Sequence, residues 1–124
     1  MTEKEEKILY TASYGGEEPE KASFPFVMAL AALSMDVKAT IVLMGNGVLL
    51  AQKGYIDDLP PGGGFPPLKK LMADFMELGG ELKVCVPCIR GRNIEESDLI
   101  EGAETIMAGA VTVKVLESDA VMTF

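Results

Sequence analysis

The stretch Thr40-Ile41-Val42-Leu43-Met44 most restricts what this chain can fold into. Its β-branched and apolar residues form an unbroken run, the pattern of a strand covered on both faces of a parallel sheet. Gly45-Asn46-Gly47 ends it with a turn signal. Parallel strands cannot be joined by tight hairpins and need helical crossovers between them, so the flanking sequence must alternate strand with helix. It does. Ile8–Ala12 reads as a first strand, closed by Ser13-Tyr14-Gly15-Gly16. Glu17-Glu18-Pro19-Glu20 has the acids and the early proline of a helix start. From Lys21 to Met35 the pattern is helical, with Phe26, Leu30 and Leu33 on one face, and Pro25 either kinks this helix or marks its true beginning. The helix is apolar nearly all round, which predicts burial on more than one side and leaves surface for another subunit.

Beyond Gly47, Val48–Gln52 reads as a short helix, and residues 54–65 as an irregular loop, either a lid or a disordered excursion. Pro66–Leu78 is the clearest helix, with Leu68, Leu71, Met72, Phe75 and Leu78 at helical spacing and Gly79-Gly80 as its stop. Glu81–Cys85 follows as a third strand, and Ile94–Ile100 as a short acidic helix capped by Asn93. Val111, Val113 and Val115 alternate as in a strand. A last parallel strand at Ala120–Phe124 nevertheless requires a crossover before it, so the expectation is a strand over Ala103–Met107 and a helix over Ala108–Ser118. The sum is one α/β domain over 1–124, with a charged lead-in at 1–6 and a doubly wound, mostly parallel five-stranded sheet carrying helices on both faces.

Composition then removes function classes. A net charge of −8 without a basic cluster argues against nucleic acid, whose phosphates dominate affinity. The chain has no histidine, which excludes Ser-His and Cys-His nucleophile pairs. Two cysteines alone cannot close a four-ligand zinc site, so neither metal nor cofactor is expected. The longest apolar run, Phe24–Met35, is interrupted by Pro25 and Ser34 and is too short for a membrane span. With no signal peptide in view, the expected location is the cytoplasm, with no membrane partner.

Both cysteines lie in Cys85-Val86-Pro87-Cys88-Ile89-Arg90-Gly91-Arg92, a strand end opening into a cationic loop. Nearby positive charge favours thiolates, the reactive form of cysteine. In a parallel sheet the ligand crevice lies outside the carboxyl ends of the strands. The Gly15-Gly16 turn with Tyr14, the Asn46 turn and the cysteine segment all fall there. The candidate site is therefore Cys85 and Cys88 as reactive groups, with Arg92, Arg90, Gly15, Gly16, Asn46 and Tyr14 around a substrate. The bland reading of Arg90 is an ordinary ion pair with Glu95, Glu96 or Asp98.

Four stretches, read together, resemble the DsrE/DsrF-like (TusD/YchN-type) sulfur-relay family. They are Lys7–Tyr10 with Gly15–Ala22; Ala29–Leu33 leading into Ala39–Val48; Cys85-x-x-Cys88-x-x-x-Arg92; and Ala120–Phe124. The resemblance implies a doubly wound sheet assembled as homotrimers or homohexamers. It also implies a persulfide carried on Cys85 between a protein sulfur donor and a protein acceptor, as in a sulfurtransferase or sulfur carrier. Cys88 matches a second cysteine that only some members have. Arg92 matches an arginine usually followed by glycine, where this chain has Asn93. Two other classes stay open from the residues alone. One is a Cys-x-x-Cys dithiol-disulfide protein, although no tryptophan precedes the pair and Pro87 lies inside it. The other is a non-catalytic small-anion-binding or assembly module.

Overall fold

The structure, a computed structural model, describes residues 5–124. Most of the charged lead-in therefore lies outside the described residues. Five parallel strands form one sheet in the order β4-β3-β2-β1-β5. They are β1 (Lys7–Ala12), β2 (Lys38–Leu43), β3 (Glu81–Cys85), β4 (Ala103–Ile106) and β5 (Ala120–Thr123). The registers Tyr10↔Ile41 and Leu43↔Val84 align the ends of β1, β2 and β3 along one edge.

The β2 run behaves as its composition dictates, with Ile41, Val42 and Leu43 fully buried. Ile41 and Leu43 face the larger core, built with helices α1 (Pro19–Ser34) and α2 (Leu68–Glu77). There Phe26 and Phe75 meet edge to face at 5.7 Å, a geometry that adds about 0.5–1.5 kcal/mol beyond area burial. Val42 faces the opposite side, where it packs with Leu9 and Ile106 beneath Val111 and Val115 of helix α4 (Ala108–Glu117). The strand-like alternation at Val111–Val115 is thus a helix, as the crossover requires. No residue of α4 is itself buried, so this face of the sheet is thinly covered.

Several sequence expectations change. Helix α1 does start at Pro19, within the Glu17–Glu20 signal, and it runs through Pro25, which therefore does not mark its beginning. Helix α2 starts after Pro67, and Leu78 is its exposed C-cap instead of a core position. The turn and short helix read at 45–52 are one 3₁₀ helix, Gly45–Ala51. The acidic helix at 94–100 contracts to a single 3₁₀ turn, Glu96–Asp98. Its cap is Glu95, whose side chain and that of Asp98 satisfy each other's backbone N–H. Residues 54–65 pack onto the N-terminal half of α1 and the turn before it. Tyr55 accepts the Gly16 N–H at 2.9 Å, Phe65 stacks edge to face on Phe24 at 5.8 Å, and Gly62 passes so close to Pro19 and Glu20 that a Cβ there would collide with their backbone.

Candidate functional site

The cysteine segment is a helix instead of a loop. Helix α3 (Val86–Arg90) starts directly from the end of β3, with Cys85 as its N-cap residue and Pro87 in its first turn. Proline is tolerated there because first-turn N–H groups lack helical partners anyway. The three-residue spacing on a helix start brings the two cysteines to one side. Their sulfurs are 2.7 Å apart and both thiols are free and half-buried.

The end of α3 is fixed by Asn93. Its φ is +56°, the Ile94 N–H returns to the Ile89 carbonyl at 2.9 Å, and the Asn93 N–H returns to that of Arg90 at 3.1 Å. This is a helix-ending Schellman turn, and the buried pair Ile89 and Ile94 supplies the apolar contact that accompanies it. Asparagine is the residue after glycine that best accepts this left-handed conformation. Asn93 therefore closes the helix before it and does not cap the turn after it.

That turn sends Arg92 back across the site. Its Nη1 donates to the Cys88 carbonyl at 3.2 Å, while Nε and Nη2 donate to Asn46 Oδ1 at 3.3 and 2.9 Å. From β2, the Gly45 N–H donates to Cys88 Sγ at 3.3 Å. Gly45 adopts φ +52°, which glycine takes without the steric cost of a side chain. A Cβ on Gly15 would press on the Asn46 carbonyl, and one on Gly47 would collide with that of Ala12. The ends of β1, β2 and β3 thus meet in line, Gly15 to Asn46 to Arg92 and Cys88, as their common position at the carboxyl edge predicts.

The remaining candidates are placed differently. The Gly15 N–H is taken by the Glu17 carboxylate at 3.0 and 3.1 Å and the Gly16 N–H by Tyr55. The Tyr14 ring lies 5.1 Å from the Lys21 ammonium. Arg90 is exposed and makes no ion pair among the described residues. The acids expected to hold it are engaged elsewhere, Glu95 and Asp98 in their mutual cap and Glu96 with the Thr105 hydroxyl. Sequence reading missed the Gly45 amide and the Tyr55 hydroxyl. Only the first left a trace, a glycine directly after a buried strand.

Electrostatics reverse one expectation. Burial pushes the Cys85 thiol above its ordinary range, helped by a hydrogen bond with Cys88 and by charge on it. The Cys88 N–H and the more distant Arg92 oppose this without overcoming it. Among the described residues no three His, Cys, Asp or Glu side chains gather into a metal-sized cluster, and no helix is long and apolar enough to cross a membrane.

Comparison with known proteins agrees with this architecture. The chain is similar to the uncharacterized protein MJ0989 of Methanocaldococcus jannaschii, 37% identical over 117 residues that cover 94% of this chain and 96% of that one. It is similar to the uncharacterized protein MK0008 of Methanopyrus kandleri, 33% identical over 94% of this chain and 90% of its relative. A 107-residue match to the uncharacterized protein MJ0760 of M. jannaschii is 38% identical and covers 86% of this chain but 38% of that longer one. In fold it matches the crystal structure of the E. coli YchN protein, with a TM-score of 0.80 at 23% identity over 96% of this chain and 99% of that one. The fold also matches MTH1491 of Methanobacterium thermoautotrophicum, with a TM-score of 0.69 at 13% identity over 98% and 100% of the two chains. The sequence profile of the DsrE/DsrF-like family matches residues 6–124, and with that match and two thiols at the end of β3, the chain belongs to the DsrE/DsrF-like family.

Proposed function

We propose that this protein is a sulfur-relay protein that holds sulfane sulfur as a persulfide on Cys85 and passes it from a protein donor to a protein acceptor. The observation that carries this reading is the pair of free thiols 2.7 Å apart at the carboxyl edge of the sheet. A persulfide is anionic near neutral pH and needs donors around it. Arg92 spends one N–H at each of its three nitrogens on Asn46 and Cys88 and keeps donors over for an anion. Arg92 and Asn46 are therefore the residues assigned to hold the sulfur. Gly15 and Gly16, whose amides are satisfied internally, and Tyr14 beside them border the site on the β1 side. Arg90, exposed on α3, is available to an incoming partner. A reducing cytoplasm, where free thiols persist, suits this chemistry.

Assembly into a homotrimer or homohexamer belongs to the same proposal. Its support is the α4 face, which exposes 80% of Leu116, 54% of Met107, 53% of Val113 and 43% of Val121. Large apolar side chains grouped on one face mark interaction surfaces.

The second reading is a dithiol-disulfide protein, favoured by the same sulfur contact. Intact mass before and after incubation with a persulfide donor separates the two. Gain of one sulfur atom, mapped to Cys85 and absent when both cysteines are serine, supports relay. Loss of two hydrogens with no retained sulfur supports the dithiol reading. An unchanged mass sinks both and leaves a binding or assembly module.

A further inference from the structure

Two thiols fall short of a zinc site, yet they meet the needs of a softer cation. Cys85 and Cys88 approach each other from different backbone conformations, Cys85 extended at φ −61° and ψ 121° and Cys88 within the short helix α3. Their sulfurs are 2.7 Å apart, and both side chains are free and half-buried. Each sulfur has a backbone donor of its own. The Gly45 N–H points at Cys88 Sγ at 3.3 Å, and the Cys88 N–H serves Cys85. A hydrogen bond given to the charged form stabilises that form. The surroundings exclude harder ions. The chain has no histidine and no third cysteine, and among the described residues no carboxylate joins the two thiols in a three-ligand group. The Glu95 and Asp98 carboxylates, next along the chain, are spent on each other's backbone. The registers Cys85↔Ile106 and Leu43↔Val84 set Ile106 beside Cys85 on one side and Met44 in the next position on the other. Calcium and magnesium require oxygen ligands and zinc four ligands, whereas thiolate and thioether sulfur select Cu(I).

We propose that Cys85 and Cys88 form a two-coordinate site for a soft monovalent cation, Cu(I), bound between the two sulfurs. This is a second use of the same thiols and does not rest on the relay reading. A coordinating thiol is deprotonated outright. Each cysteine therefore releases its proton and gives one sulfur electron pair to the metal. One Cu(I) replaces two protons, the bound unit carries a single negative charge, and the copper stays monovalent with no electron transferred. The Gly45 and Cys88 N–H groups then face the two thiolates. Arg92, fixed by the Cys88 carbonyl and Asn46 Oδ1, supplies the balancing positive charge. With metal–sulfur bonds of about 2.3 Å, as in zinc thiolates, a linear arrangement sets the sulfurs roughly 4.6 Å apart. They open from 2.7 Å by rotation about the two Cα–Cβ bonds.

Anaerobic titration of the reduced full chain with Cu(I) against bicinchoninate, a coloured chelator, reads stoichiometry and affinity together. One copper per chain should leave the chelator. Cys85→Ser and Cys88→Ser should each weaken retention by more than about 100-fold, beyond what loss of an outer-shell partner costs. X-ray absorption at the copper edge of the loaded parent should show two sulfur neighbours and no nitrogen or oxygen, a readout that depends on no variant folding. The same chain unfolded in urea keeps the Cys-x-x-Cys spacing and measures what spacing alone contributes. It should hold copper less tightly by about tenfold or more, because a site built by the fold couples binding to folding. Zn(II) added at one equivalent should be lost on desalting, whereas Cu(I) stays. Copper left on the chelator, unchanged retention in either serine variant, an oxygen or nitrogen neighbour at the metal, equal retention by the unfolded chain, or retained Zn(II) overturns the site. Sulfur gain from a persulfide donor is read separately, so the relay reading and the copper site fail independently.

Discussion

Arg92 grips the Asn46 side-chain oxygen with two nitrogens, Nε at 3.3 Å and Nη2 at 2.9 Å, across a sequence separation of 46 residues. The contact ties the end of α3 to the turn after β2, and the same turn supplies the Gly45 N–H to Cys88. The thiols are thus held from the strand beside their own, and the first consequence to test is what happens when that tie is cut.

Arg92→Ala should lower stability by about 0.5–1.5 kcal/mol, the net worth of an ordinary protein hydrogen bond, measured as a shift of the urea midpoint with an unchanged slope. It should also raise the pH at which Cys85 reacts with iodoacetamide, since the Arg92 charge acts to lower the Cys85 thiol. Arg92→Lys keeps the charge but lacks the planar fork that reaches Asn46 with two nitrogens. The lysine variant should therefore restore the alkylation profile better than the stability. Equal rescue of both would show that the fork is irrelevant.

The elevated Cys85 thiol makes stability fall in alkali. A group whose folded-state pKa lies above its unfolded value costs nothing while both states are protonated. It destabilises the fold once pH rises past the ordinary thiol range of about 8.5 and the unfolded chain alone ionises. The urea midpoint should be flat through neutral pH and decline above that range, and the first part of the decline should be missing in Cys85→Ser. Tyr10, which burial also pushes above its ordinary value and whose hydroxyl donates to the Met28 carbonyl, adds a second decline above about pH 10. An alkaline limb unchanged in Cys85→Ser would remove Cys85 as its cause.

How much of this was legible depended on whether a residue's role is local. The unbroken run at β2 announced a strand buried on both faces, and the crossover rule rescued α4 from its strand-like valines. The five-residue α3 is too short to show a period, and Cys85-Val86-Pro87-Cys88 reads as a loop until Pro87 is recognised as a first-turn residue. Asn93 misled for a related reason. The same side chain that caps a helix start also tolerates the left-handed φ that ends one, and only the pairing of Ile89 with Ile94 decides between them. The Gly45 amide on Cys88 spans 43 residues, and no pattern in the sequence encodes so distant a contact between a backbone and a side chain.

Gly47 tests whether the site depends on this close stacking of strand ends. It is buried, and a Cβ there would collide with the Ala12 carbonyl. Gly47→Ala must push the 3₁₀ segment off β1, at a cost of about 1–3 kcal/mol as for other overpacked positions. That movement carries the Gly45 N–H away from Cys88, so the relative rates at which iodoacetamide labels Cys88 and Cys85 should change. Gly109→Ala, inside α4 where a Cβ would meet nothing within 4 Å, is the control and should leave the labelling ratio unchanged without any loss of stability. A fully destabilised Gly47→Ala protein that keeps the parental labelling ratio would separate the packing from the chemistry.

The α4 face carries the last prediction. Val111 and Val115 turn inward onto Leu9, Val42 and Ile106, which leaves Val113 and Leu116 on the outer side of the same helix with Met107 just before it. Leu116 is 80% exposed, so as a free surface position it should accept a charge with a change within about 0.5 kcal/mol. If identical subunits cover this face, the same residue is an interface anchor, and a carboxylate there is desolvated without a partner. Leu116→Glu should then convert a homo-oligomer into a folded monomer, with parental secondary structure by circular dichroism and one-chain mass by light scattering. Lys53→Glu, on an exposed residue whose ammonium donates to the Ser97 carbonyl and not to α4, should leave the assembly intact. A parent that is already monomeric, or a Leu116→Glu protein with the parental mass, would remove this face from the interface.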